Sequence, residues 1–205
     1  MMSKTHLTVG VATSLAICQP ATVGTLMTAI AGGAAGSILC DIECKGHPGM
    51  WDAAIGRIIA IGISLTALAI DYFAGDSLVL PTIQQIQMRN YSSLISGAIV
   101  LLATCIAGRH SQHRTFTHSL LYVLLISLGF GCISSALSLP VFAAGISHLV
   151  IDTFNKKPVP WLFPFFRPGI CFKICYASKI GNTVLMWSGL AASLALLTYR
   201  LFIIV

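Results

Sequence analysis

Acidic side chains are scarce in this chain: Asp41, Glu43, Asp52, Asp71, Asp76 and Asp152 are the only six in 205 residues. Charge of either sign is thin, at 9% of residues, while 56% are hydrophobic. Soluble domains carry about 25% charged residues, so a surface facing water on every side is excluded. The chain reads as an integral membrane protein. An acid inside such a chain is rare enough to suggest a paired or functional group.

Other absences narrow the reading further. No secreted disulfide framework is implied, because the seven cysteines are odd in number and several lie in apolar runs. Cys40 and Cys44 with Cys171 and Cys175 could form a thiolate metal site, although zinc pairs are usually spaced more tightly; packed thiols are the competing reading. Internal repeats and low-complexity tracts are missing. The basic residues are spread among loops rather than grouped in a stripe, which argues against nucleic acid as a partner. A formal net charge of +6 suits anionic lipid headgroups or phosphorylated substrates. The length allows one domain, residues 1–205. The start imitates a signal peptide, but the weak charge at Lys4 and the long, glycine-broken run fit poorly, so the segment is read as retained.

What the chain does have is a series of apolar runs, at 7–18, 21–39, 55–73, 94–107, 120–137, 141–151 and 183–205. About 20 apolar residues cross a bilayer, and these runs predict an all-α, multi-spanning membrane protein. Residues 7–18 and 141–152 are too short, about 18 Å at ~1.5 Å per residue, and are expected as half-helices, or helices that stop part-way, around a metal site. Polar connections are expected at 44–52, 75–91, 138–140 and 153–179, with TIQQIQMRN at 82–90 lying on the membrane surface. With alternating direction, His6, Asp41, the 110–118 joint and Asp152 fall at one face with most of the cations. By the positive-inside tendency that face is cytoplasmic.

Three of the six histidines sit in HSQHRTFTHS, residues 110–119, between two membrane-length runs. His113 and His118 suit a loop-to-helix transition, with Thr115 or Thr117 capping the helix; His110 is expected to be solvated and idle. An interfacial basic loop is the plainer reading of the cluster. His148 and Asp152 are four apart and share one helical face, as two ligands for one metal ion do. A packing hydrogen bond is the alternative. Asp41 and Glu43 end a glycine-rich helix, where negative charge opposes the helix dipole, so a partner cation is expected. His47 reads as an ordinary loop residue. Imidazole with carboxylate suits Zn²⁺, or else Mn²⁺ or Fe²⁺, and more than four such ligands leave room for two ions.

The start at His6-Leu7, GSILCDIE at 36–43, HRTFTHSL at 113–120, GISHLVIDTF at 145–154 and WLFPF at 161–165 follow in order. Together they resemble the YdjM-like family of inner-membrane-associated proteins assigned as metal-dependent hydrolases, over most of the chain. The pattern is also similar to that of zinc-dependent phospholipases C. The resemblance implies a helical protein of the bacterial inner membrane with His6, Asp41, His118, His148 and Asp152 as metal ligands. The chain departs from the family pattern at Cys40 and Glu43 in the first motif, at Asn155 and Pro158, and at Leu185, where relatives carry a glutamate after Gly181-Asn182. The last departure implies fewer ions or weaker catalysis.

The expected function is hydrolysis of a phosphoester, in a membrane lipid as substrate, by a metal-activated water at the cytoplasmic face. Arg114, with Arg109 beside it, is expected to stabilise phosphoryl charge; Asp41 or Glu43, whichever is not a ligand, is expected as general base, and His113 as a further catalytic group. A non-catalytic metal-binding scaffold or regulatory protein, and a small transporter using His and Asp as a relay, are the alternatives from other classes.

Overall fold

The computed structural model describes residues 2–44, 51–74, 91–175 and 180–204. Seven α-helices are present among them: α1 (Ser3–Cys18), α2 (Val23–Leu39), α3 (Trp51–Ala74), α4 (Tyr91–His110), α5 (Leu120–Ile133), α6 (Ser135–Thr153) and α7 (Ile180–Ile204). A single 3-10 turn, Phe116–His118, joins α4 to α5, and the described residues contain no strand beyond one isolated bridge, Val159 to Ile170. The expected all-α, multi-spanning fold is present. His47 and the 82–90 segment lie outside the described residues.

Local chemistry sets the ends of these helices. Gln19 takes a left-handed conformation, φ 44°, and donates its N–H to Leu15 O, ending α1 before Pro20. Thr22 and Thr25 exchange hydrogen bonds in a capping box that starts α2. Ser119 caps α5 by accepting from Tyr122 N. The expected caps, Thr115 and Thr117, do not hold that helix: Thr115 precedes the 3-10 turn without a capping bond, and Thr117 is buried beside His118.

Two expected boundaries are corrected. α1 reaches back to Ser3, so His6 sits inside the helix rather than ahead of it. Residues 138–140 are not a connection, because α6 begins at Ser135 and runs through Pro140. The real break is at Ser134, whose extended backbone separates α5 from α6. A proline within a membrane helix is tolerated where neighbours re-satisfy the freed backbone groups. Here Pro140 packs against Gly32 of α2, where a Cβ would lie 2.6 Å from the proline ring. α6 is therefore 19 residues long and apolar enough to span, rather than a half-helix. Short helices still surround the centre: α1, α2 and α5 have 16, 17 and 14 residues.

Packing divides the bundle into an interior and a periphery. α1, α2 and α6 contact one another, while α3 lies on α2, α5 on α6, α4 on α5 and α7 on α1. Gly36 lies against the backbone of Val141, and Gly33 against Ser14. Small residues let membrane helices approach this closely and gain dispersion contact. α3, α4 and α7 instead expose large apolar groups such as Ile58, Phe73, Leu102, Trp187 and Phe202. Among the described residues, four helical segments are long and apolar enough to cross a membrane: Ala54–Ala74, Tyr91–His110, Ser135–Thr153 and Ile180–Ile204. Only the third is mostly buried in the bundle.

Candidate metal centre

The close packing of α1, α2 and α6 brings three chain segments to one end of the bundle, and the 3-10 turn supplies a fourth. His6 comes from the first turns of α1, Asp41 from the turn after α2, His148 and Asp152 from the last turns of α6, and His118 from the 3-10 turn. All five expected ligands converge. His6, Asp41 and His148 form one set of donor atoms within 4.8 Å of each other; His118, His148 and Asp152 form another; Asp41, Glu43 and His118 a third. The sets share members, so the seven-membered group His6, Asp41, Glu43, His118, His148, Asp152 and Cys44's neighbour His113 is continuous.

The imidazoles are aimed rather than merely near. His148 Nδ1 donates to Ser37 O at 2.7 Å, one of the last α2 carbonyls, which have no partner within their own helix. That bond turns Nε2 inward as a lone-pair donor, 3.8 Å from Asp41 Oδ1. Such outer hydrogen bonds fix tautomer and ring orientation in metal-binding histidines. His118 Nδ1 lies 3.0 Å from Thr117 Oγ1, and its Nε2 is 3.2 Å from Asp152 Oδ2 and 3.6 Å from Asp41 Oδ1. His6 Nε2 is 3.4 Å from Asp152 Oδ1, and its ring stacks on His148 at 3.7 Å.

Burial makes this arrangement costly as it stands. His6, His118, His148 and Asp152 have side chains 0–2% exposed. The Nε2 atoms of all three histidines lack a partner in hydrogen-bond geometry, although carboxylate oxygens stand 3.2–3.8 Å away. A buried polar atom left unsatisfied costs about 1–3 kcal/mol. A divalent cation between the rings and the carboxylates would satisfy all three nitrogens together. Three nitrogen and two carboxylate donors fit Zn²⁺, Mn²⁺ or Fe²⁺. The residues fit the ion.

Electrostatics agree with that fit. Burial raises the Asp41 carboxyl, yet the imidazoles of His148, His6 and His118 outweigh it and hold it below its ordinary value. Burial lowers the proton affinity of His118, but Asp152, Asp41 and Glu43 more than reverse this. Carboxylates and imidazoles of the cluster thus favour the charged forms of Asp41 and His118.

Arginines brace the surroundings. Arg114, in a left-handed conformation with φ 61°, donates Nη2 to Asp152 Oδ2 at 2.7 Å and Nη1 to Lys157 O at 2.8 Å. Arg109 donates to Ile42 O at 2.9 Å, and Arg57 to Cys44 O at 3.1 Å. Both guanidiniums thus hold backbone carbonyls of the turn after α2 rather than its carboxylates. Arg109 also lies 3.4 Å from Cys44 O. His110 is exposed at the end of α4, as expected.

The remaining expected residues form a rim. Glu43 has a side chain 1% exposed, and its Oε1 lies 2.9 Å from His113 Nδ1, whose side chain is 47% exposed. Glu43 Oε1 is also 3.5 Å from His118 Nδ1, linking rim to floor. Cys44 Sγ is 3.8 Å from His113 Nδ1 and 4.0 Å from Asp41 Oδ1. Burial, with the charges of Asp41 and Glu43, pushes the Cys44 thiol up to about 12. All seven cysteines are free, and among the described residues no donor set joins Cys40 and Cys44 to Cys171 and Cys175.

Sequence reasoning missed Ser37, whose carbonyl orients His148, and Asn182. Asn182 Oδ1 accepts from Thr5 Oγ1 at 3.0 Å and from Met2 N at 3.2 Å, clamping the first turn of α1 to α7. A backbone carbonyl leaves no residue-type signal. Asn182 stands out in the sequence only within the Gly181-Asn182 pair ahead of Leu185, and its distant partners Met2 and Thr5 leave no local signal.

Fold and centre together define a helical membrane protein with a buried imidazole–carboxylate cluster at one end of its bundle. The chain belongs to the YdjM inner membrane protein family, whose model matches residues 1–205. No curated protein and no solved structure matches it.

Proposed function

We propose that the protein is a membrane-bound, metal-dependent hydrolase that cleaves a phosphoester in a lipid-type substrate at the cytoplasmic face. One observation carries this reading: three buried histidines from three separate elements turn unpartnered Nε2 atoms towards two carboxylates. His6, Asp41, His118, His148 and Asp152 would hold the ion, Zn²⁺ before Mn²⁺ or Fe²⁺. When bound, the ion supplies Lewis-acid activation of water and of a phosphoryl oxygen.

The chain's own groups do the rest. Ser37 O holds the His148 tautomer, and Arg114 holds Asp152 while carrying positive charge beside the reacting phosphoryl group. The Glu43–His113 pair, half open to solvent through His113, is the assigned proton acceptor. Beyond Arg114 lies a cavity of about 800 Å³, lined by Arg114, Arg167, Phe116 and Phe163 among others. Guanidinium with aromatic lining suits an anionic headgroup joined to apolar chains. Exposed Phe165, Phe166, Phe172 and Ile174 alternate with Arg167 and Lys173 in the adjoining loop, which suits an anionic membrane surface. Arg57, Arg109, Arg114 and Arg167 at the same end support a cytoplasmic orientation.

A non-catalytic, structural ion is the second reading, favoured by the burial of the floor. Only Asp41, 14% exposed, opens among the five assigned ligands. Elemental analysis of detergent-purified protein beside a His118→Ala/Asp152→Ala variant tests both readings. Near-stoichiometric zinc or manganese that the variant loses, followed by turnover of phosphoester lipids, supports the hydrolase. Metal retained without turnover supports the structural ion. Wild-type protein that takes up no metal from added ions removes both.

A further inference from the structure

We infer that Glu43, Cys44 and His113 form a second cation subsite at the rim, specific for borderline-soft divalent ions such as Zn²⁺ and Co²⁺. Their donor atoms lie within 4.8 Å of one another and form a set that contains none of the five floor ligands. Cys44 Sγ and His113 Nδ1 are 3.8 Å apart. A tetrahedral zinc with its usual Zn–S and Zn–N bonds would space them about 3.5 Å apart. Glu43 Oε1 and His113 Nδ1 are 2.9 Å apart, against about 3.3 Å in the same tetrahedron.

An independent observation points to a ligand here. The Glu43 side chain is 1% exposed, and Oε2 is buried with no hydrogen-bond partner. A thiol is a weak donor and a weak acceptor, so the contacts of Cys44 at 3.8 and 4.0 Å leave its sulfur little engaged. Three protein donors leave a fourth position, and the open side of His113 gives an ion a route from water. The sulfur sets the selectivity: thiolate with imidazole and carboxylate suits Zn²⁺ or Co²⁺ over Mg²⁺ or Ca²⁺.

This goes beyond the hydrolase reading and does not depend on it. An ion held at the rim draws on the same Glu43 and His113 that the hydrolase uses for protons, so the pair serves one role at a time.

Cobalt distinguishes the two sites, because only a cysteine-bearing site gives thiolate-to-cobalt charge transfer in the near ultraviolet. Metal-stripped full-length protein in detergent is titrated with Co²⁺, in wild type, Cys44→Ser, Cys40→Ser, His113→Ala and His148→Ala. The band is expected in wild type, Cys40→Ser and His148→Ala, and absent from Cys44→Ser and His113→Ala. Bound cobalt should fall by one ion in both rim variants, with the floor ion kept. No band in wild type, or a full band in Cys44→Ser, overturns the proposal. Should Cys44→Ser misfold and lose all cobalt, His113→Ala decides: a band retained there overturns it equally. Failure of the floor site appears separately, as a His148→Ala variant that binds as much cobalt as wild type.

Discussion

The floor of the centre and its rim use the same side-chain chemistry but are held by different physics. His6, His118, His148 and Asp152 are 0–2% exposed and ride on α1, α6 and the 3-10 turn, in the small-residue interior of the bundle. Glu43, Cys44 and His113 sit on the turn after α2 and the loop after α4, and His113 is 47% exposed. The floor's geometry is thus a consequence of helix packing, and the rim's of local turns. Damage to packing should reach the floor from a distance, while a rim substitution should stay local.

The largest expected effect is His148→Ala. It removes the nitrogen shared by two donor sets and leaves the Ser37 carbonyl without its side-chain donor. Bound metal should fall by the floor ion, with membrane insertion unchanged because alanine in place of His148 leaves α6 apolar. Elemental analysis of the membrane-extracted variant checks this, and unchanged metal would remove the ligand assignment.

Gly36→Val comes next and attacks the floor without touching a ligand. A Cβ at residue 36 would run into the backbone of Val141, which cannot rotate away as a side chain tip can. Overpacking of this kind costs about 1–3 kcal/mol. Because Asp41 follows directly on α2 and α6 carries His148 and Asp152, forcing the two helices apart should also weaken metal binding. A lowered melting midpoint in detergent with weaker zinc retention is expected. Lowered stability with unaltered zinc affinity would break the link between packing and floor.

Arg114→Gln probes the brace. The 2.7 Å bond to Asp152 Oδ2 fixes one carboxylate, and loss of such an outer partner typically costs about 10–100-fold in metal affinity. Competition with a chelator measures it. Arg109→Gln, whose partners are backbone carbonyls of the turn, should change floor affinity much less.

The sequence made the floor legible because its residues follow local rules. The i, i+4 spacing of His148 and Asp152 needs only a helix, and α6 supplies one. The dense run at residues 110–119 could not be buried cheaply without a purpose. What stayed hidden depended on partners far along the chain. Pro140 looked like an interruption, because the glycine that accommodates it is Gly32, on another helix. His6 looked like a residue before a helix, because the bonds that tie this end of α1 down come from Asn182. Cys44 reads in the sequence as a partner for other cysteines, whereas its neighbours in space are His113 and Asp41. Thiol spacing carries no information about a histidine some seventy positions away.

The smallest expected effect is His113→Ala, and it sharpens the comparison most. An imidazole 47% exposed and bonded to Glu43 contributes little to the fold, and exposed substitutions usually change stability within about 0.5 kcal/mol. Glu43 loses its 2.9 Å partner but keeps His118 Nδ1 at 3.5 Å, so floor and rim stay in contact. Thermal stability and floor-ion affinity should match wild type in the same detergent. A His113→Ala variant that sheds the floor ion as His148→Ala does would mean that the two regions are one cooperative site, set by a shared carboxylate rather than by separate packing.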